Sequence, residues 1–214
     1  MIWITSVSYT HLLAYEAAAV LLPGLVLCAA LYRRGGKTGR AAPPLLLLLF
    51  AIYLFGVFHV TGAGTMYDAL QRGLEWNAGQ VNLLPFSREA DPMGYALNVV
   101  LFLPFGLLLP LLWPALDRLG RVAAGGFAFS LLIELSQLLN NRRTDVDDLL
   151  MNTLGAALGL LLYRALAWAG QRCGRKRGEV CEPTPALYIV ALFAGRFLLF
   201  HELWAAGLLY GFAG

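Results

Sequence analysis

Apolar residues in this chain do not alternate with polar ones; they run together. Six runs approach the roughly 20 apolar residues needed to cross about 30 Å of hydrocarbon at about 1.5 Å per residue. They lie near residues 12–32, 44–63, 95–115, 121–140, 148–168 and 186–211. Lipid cannot satisfy an open backbone, and no series of short alternating segments points to a barrel, so each run is predicted to be a closed helix. The expected fold class is all-α: a polytopic membrane helix bundle of about six transmembrane helices.

Polar residues interrupt these runs in an ordered way. In the fourth run Ser130, Glu134, Gln137 and Asn141 fall at spacings of four, three and four, which is one stripe of a helix. The fifth run repeats this with Asp148, Asn152, Gly155 and Gly159, polar above and glycine below. The turn Asn141-Arg142-Arg143-Thr144-Asp145-Val146-Asp147 is short enough to make the two runs an antiparallel pair with facing stripes. Gly155-x-x-x-Gly159 then permits close backbone approach. Thr144 or Asp145 is a natural N-cap for the fifth helix, and acids in a first turn suit the helix dipole. Capping does not call for three aspartates beside two arginines. Arg143 is expected to pair with Asp147 or Glu134, or to face a ligand.

Composition removes the soluble and disordered classes. Hydrophobic residues make up 59% and charged residues 14%, with mean hydropathy +0.66. The net charge of +3 gives no reason to expect nucleic acid as a partner, because apolar runs separate the charges. Their sidedness matters more. Arg33, Arg34, Lys37, Arg40, Arg118, Arg121, Arg164, Arg172, Arg175, Lys176 and Arg177 all fall in loops on one side, against Arg72, Arg88, Arg142 and Arg143 on the other. The positive-inside rule puts both termini outside. No Lys or Arg precedes Leu12 and the first run contains Glu16, so that run reads as a retained helix and not a cleaved signal. Cys28, Cys173 and Cys181 have neither metal-ligand spacing nor a disulfide framework.

With that orientation Glu16, His59, Glu134, Gln137, His201 and Glu202 fall in the outer halves of their spans, with Arg196 nearer the middle of the last. Intramembrane charge costs several kcal/mol unless paired or hydrated, so a polar cavity open to the outer face is expected. A structural tie between the first and last helices accounts for Glu16, Arg196, His201 and Glu202. No protein-bound metal and no cofactor is expected: the arginines oppose a cation site among the acids, and the familiar catalytic templates are absent. The outer loop 64–93 is too long and apolar for a plain linker. It carries an expected interfacial helix with Tyr67, Leu70 and Leu74, then Val81-Asn82-Leu83-Leu84-Pro85-Phe86-Ser87, which reads as a segment returning to the membrane surface. Pro104 would kink the third span below Asn98.

Four pieces in order carry a family resemblance. Asn82-Leu-Leu-Pro85-Phe86, Asn98-Val-Val-Leu-Phe102-Leu-Pro104-Phe105-Gly106, Ser130 through Glu134-Leu-Ser-Gln137, and Arg143-Thr-Asp145-Val-Asp147-Asp148-Leu-Leu-Met-Asn152-Thr153-Leu-Gly155 resemble the VanZ-like family over roughly residues 45–165. The resemblance implies a small multi-pass protein of the bacterial cell membrane, in a family named for a member linked to resistance to the glycopeptide teicoplanin. Related domains occur in many bacteria without glycopeptide exposure, so resistance is not transferred as the native role. The motif positions carry over as Asn82, Pro85, Phe86, Asn98, Glu134, Gln137, Arg143, Asp147, Asp148 and Asn152. Ala156 and Leu160 depart from the pattern at packing positions. The chain is read as 1–44, an additional helix and basic turn; 45–168, a VanZ-like core of four helices; and 169–214, a basic loop and an additional last helix.

Three functions fit. The first is binding or shielding of an outer-leaflet amphiphile: a lipid headgroup, a lipid-linked envelope precursor or a glycopeptide-type drug. Arg143 and the amides of Asn82, Asn98, Gln137 and Asn152, beside Pro85 and Phe86, would contact it. The second is an outer-leaflet enzyme acting on a lipid-linked substrate, with Glu134 as general acid or base and Asp147 or Asp148 positioning water or a substrate hydroxyl. The third is an assembly protein whose polar stripes only specify helix pairing. Transport is disfavoured, since the inner halves lack matching polar residues and no inverted repeat is visible.

Overall fold

The computed structural model describes residues 2–33, 40–41, 43–72, 80–87, 91–140, 142–169 and 181–201. The chain forms helices α1 (Ile2–Arg33), α2 (Pro44–Thr61), α3 (Met66–Arg72), α4 (Pro92–Leu112), α5 (Leu119–Gln137), α6 (Val146–Ala169) and α7 (Pro185–Leu199). Among the described residues five helices are long and apolar enough to cross a membrane, and α7 is a shorter apolar one. The fold is an all-α, polytopic membrane bundle. The last helix corrects the expected span 186–211: Phe200 is extended and ends it, its N–H donating to the Arg196 carbonyl. Glu202 and the basic segment 171–177 lie outside the described residues.

Local chemistry sets the helix ends. Proline opens α2, α4 and α7, where its missing N–H costs nothing. The Asp91 and Thr184 side chains cap α4 and α7 by accepting from Gly94 N and Leu187 N. Gly62, at φ +60°, closes α2 in the left-handed region that glycine adopts without strain. The α4 helix runs unbroken through Pro104 and Pro110.

The core is aromatic. Phe105 stacks on Phe129 at 5.2 Å, and Phe129 meets Phe102 at 5.5 Å and Phe58 at 5.7 Å. Below the polar residues α4 and α6 pack backbone to backbone. A Cβ added to Gly106 would stand 1.8 Å from the Ala156 carbonyl oxygen; one on Gly155 or Gly159 would meet Val99 O at 2.3 Å or Leu103 O at 2.0 Å. The glycine half of the α6 stripe therefore seats α4. The expectation that it faces the preceding helix is corrected here: a glycine row specifies a close approach but not which helix makes it. The additional helices pack on each other in the same manner: a Cβ added to Gly195 would stand 2.3 Å from Ala19 O.

Two miniature parallel pairings close the bundle ends. Arg40–Ala41 pairs with Cys181–Glu182 at one end; Val81–Asn82 (β2) pairs with Thr144–Asp145 (β3) at the other. The second of these, with the end of α2 and the α5–α6 turn, forms what we call the polar end.

Candidate functional site

At the polar end the residues fall into two adjoining groups. The first is a cage of acids and amides around the β2–β3 pair. The α6 N-terminus is capped by Asp145, whose Oδ1 accepts from Asp147 N at 3.1 Å, in keeping with the sequence reading. The same carboxylate accepts from Asn82 Nδ2 at 3.1 Å to each oxygen. Asn82 Oδ1 in turn accepts from Leu84 N at 3.2 Å and Ser87 Oγ at 3.0 Å, folding the Pro85-Phe86 turn. Asp147 is 3% exposed and accepts from Phe86 N at 3.0 Å and the Tyr95 hydroxyl at 2.9 Å. Asn98 Nδ2 donates to Asp148 Oδ1 at 2.5 Å. Tyr95 and Asn98, one turn apart on α4, thus meet consecutive aspartates on α6.

Phe86 has φ +54°, a conformation sparsely populated by non-glycine residues and worth about 1 kcal/mol or more of strain. The Asp147 carboxylate holds it there, and the ring packs edge-on to Tyr95 at 5.9 Å. Leu83, Leu84 and Phe86 remain exposed on this turn.

Beneath the cage lies the α5–α6 stripe. Asn152 Nδ2 donates to Ser130 Oγ at 2.9 Å. One rung above, the Thr144 hydroxyl donates to the Glu134 main-chain carbonyl at 3.1 Å. Glu134 and Asn152 are 3% and 4% exposed, and Glu134 Oε2 and Asn152 Oδ1 are buried with no hydrogen-bond partner. Two unpartnered acceptors in one stripe are unusual, since buried polar atoms are almost always bonded.

The second group surrounds the end of α2. Gln137 Nε2 donates to Thr61 O at 2.7 Å, Asn140 Nδ2 to Gly62 O at 2.9 Å, and an Arg142 NH to Thr61 O, so the α5–α6 turn caps the α2 carbonyls. Gln80 Nε2 donates to Arg142 O at 3.0 Å and Leu138 O at 3.2 Å, tying the loop before β2 to the same turn. From the added helices, Arg196 Nε donates to Glu16 Oε1 at 2.9 Å, and His59 Nδ1 lies 2.7 Å from Glu16 Oε2. Another Arg196 NH donates to Ala63 O. The tie between first and last helices is thus direct, with His59 of α2 joining it on the other Glu16 oxygen, while the His201 ring lies tilted against Tyr67 with centroids 3.5 Å apart.

Between these elements is a cavity of about 410 Å³ lined by Tyr67, Asp68, Gln71, Asn140, Arg142 and Arg196, among others. None of the ten expected motif residues lines it. Asn82, Asn98, Asp147, Asp148 and Asn152 bond one another or the loop, and Gln137 caps α2. Arg143 is exposed, and among the described residues its side chain pairs with neither Asp147 nor Glu134, which corrects that expectation. At Asp147 the reason is competition: the Phe86 N–H and the Tyr95 hydroxyl already occupy its carboxylate. Among the described residues no cluster of three or more His, Cys, Asp or Glu side chains is placed to hold a metal ion.

Sequence reasoning missed Tyr95, Gln80, Arg142 and Asn140. Only Tyr95 had a readable signal, its i, i+3 spacing to Asn98.

A family model described as VanZ/LLP1 matches residues 45–167, which takes in every residue of the cage and the whole α4–α6 packing. Protein VanZ of Enterococcus faecium is 31% identical over 116 residues, covering 54% of this chain and 71% of that protein. No solved structure matches. The added α1 and α7 fall outside the matched region, so the cavity is shared between matched and unmatched parts of the chain. With its apolar helices and this match over more than half its length, the chain is a multi-pass bacterial membrane protein that belongs to the VanZ/LLP1 family.

Proposed function

We propose that this protein binds, and thereby shields, an outer-leaflet amphiphile at its polar end. The observation that carries the reading is the cavity of about 410 Å³ among Arg142, Arg196, Asp68, Tyr67 and Gln71, a size within the range of small-ligand sites. Charge asymmetry of the loops puts this end outside. The exposed Leu83, Leu84 and Phe86 on the cage turn at the same end give an apolar surface that suits the boundary between headgroups and acyl chains. A lipid headgroup, a lipid-linked envelope precursor and a glycopeptide-type drug all have the required polar and apolar halves.

The enzyme alternative needs Glu134 to reach a substrate. Its unpartnered Oε2 favours a chemical role, but the carboxyl is buried beneath β3 and away from the cavity lining. Binding is therefore the better-supported function. The test is mass spectrometry of the purified full chain before and after incubation with extracted bacterial envelope lipids. A lipid retained in fixed ratio and unchanged in mass is expected. A product of altered mass would replace this reading with the enzyme, and no retained lipid would end both.

A further inference from the structure

The two walls of the cavity carry opposite charge, and each charge is only partly used. Arg142 belongs to the α5–α6 turn and its guanidinium lies flat on Gly62, where an added Cβ would stand 2.7 Å from Cζ. Of its five N–H donors one goes to the Thr61 carbonyl, and among the described residues no carboxylate pairs with it. Arg196 is 6% exposed and differs: Glu16 neutralises it, with His59 beside that carboxylate, and the Phe200 ring covers its guanidinium at 5.4 Å. Across from them Asp68 Oδ2 accepts from Thr65 N and Thr65 Oγ1, both at 2.8 Å, which leaves Oδ1. The lining therefore offers an uncompensated guanidinium fork at one wall and a carboxylate oxygen at another, with Tyr67, Gln71 and Asn140 between.

We infer that this cavity is a headgroup seat for a phosphodiester lipid whose far end donates hydrogen bonds, an ethanolamine or glycerol headgroup, with phosphate on Arg142 and the terminal donor on Asp68. The inference rests on the amphiphile-binding reading and names its ligand class. A guanidinium fork matches two phosphate oxygens, which a single ammonium does not. The Asp68 carboxylate accepts an ammonium or hydroxyl proton, whereas a trimethylated choline offers none. Arg142 comes from the family core while Arg196 and Phe200 come from the added α7, so the added helices complete the seat. Their Glu16–Arg196 tie holds that wall in place and leaves Arg142 as the lining arginine that no carboxylate among the described residues pairs with.

The test uses the full chain in neutral detergent, titrated with phosphatidylethanolamine, phosphatidylglycerol or phosphatidylcholine and read by native mass spectrometry. The first two lipids should be retained about tenfold more tightly than the third, as one charge-assisted bond implies. Arg142→Gln should weaken retention of all three lipids about tenfold, since each carries the phosphate. Arg142→Lys should recover part of that loss, and Arg143→Gln, one residue along and outside the cavity, should leave retention within about twofold. Asp68→Asn should weaken the ethanolamine lipid more than the glycerol one. Thermal unfolding of each variant identifies any that fails to fold, and the lysine variant then carries the comparison. Equal retention of all three lipids, or equal loss in the Arg142 and Arg143 variants, overturns the seat but leaves amphiphile binding standing. Inorganic phosphate alone displacing the lipid at equal concentration overturns the lipid assignment in favour of a soluble anion. Failure of the native chain to retain any lipid removes the underlying reading as well.

Discussion

The cage around Asp145, Asp147 and Asp148 and the cavity around Arg142 and Arg196 sit side by side at one end of the bundle, yet use polarity in opposite ways. In the cage each carboxylate already has donors: the Asn82 amide, the Phe86 N–H, the Tyr95 hydroxyl and the Asn98 amide. In the cavity a guanidinium and a carboxylate line open space. Polar residues in a membrane protein carry a high desolvation cost, so both arrangements must be compensated, one internally and one by water or a ligand. The family motif marks the first. The proposed binding chemistry belongs to the second, whose Arg196 and Phe200 lie outside the matched residues 45–167.

If the cage is structural, its strongest support is the backbone contact beneath it. Gly106→Ala is expected to have the largest effect, because the new Cβ would meet the Ala156 carbonyl oxygen at 1.8 Å and neither backbone can give way. A loss of about 3 kcal/mol is expected, at the upper end of overpacking costs. Thermal unfolding in detergent checks it, and an unchanged midpoint would mean that α4 and α6 are not packed through these glycines.

Asp147→Ala comes next. It strands the Phe86 N–H and the Tyr95 hydroxyl and frees a turn held at positive φ. About 2 kcal/mol should be lost, and the 80–87 loop should become sensitive to protease. Asp147→Asn keeps an acceptor and should recover roughly half. Loss of lipid retention with full stability would instead move Asp147 into the binding site and erase the contrast between the regions.

How much of this was legible follows from what each signal contains. Long apolar runs gave the helices because membrane spanning leaves few alternatives. The N-cap at Asp145 and the Glu16–Arg196 tie were readable from short-range spacing and from the cost of unpaired charge. The β2–β3 pair was not, since a two-residue strand has no period and parallel pairing links residues 63 apart. The choice between Arg142 and Arg143 was equally closed. In an irregular turn no periodicity says which neighbour faces inward, and only the carbonyls at the end of α2 decide it. The resemblance directed attention to Arg143, and the arginine that lines the cavity is its neighbour Arg142.

Glu134 lies between the two regions, and its substitution should have the smallest effect. The Thr144 hydroxyl donates to the Glu134 main-chain carbonyl at 3.1 Å, a bond that Glu134→Gln leaves untouched. Oε2, now an acceptor without a donor, becomes an NH₂ group in the same α5–α6 stripe as a second unpartnered acceptor, Asn152 Oδ1. Replacing a buried acceptor that lacks a donor by a donor removes a desolvation cost without opening space. The variant is therefore expected to unfold within about 1 kcal/mol of the native protein, on the stable side, and to retain lipid unchanged. Asn152→Leu should behave differently, because it also takes the donor from Ser130 and adds bulk beside Gly126 and Ala156, which already pack at the limit. A fall of several degrees in Glu134→Gln would show that a cation or proton donor normally occupies the space between Glu134 and Asn152, and the divide between a saturated cage and an open cavity would have to be redrawn to include it.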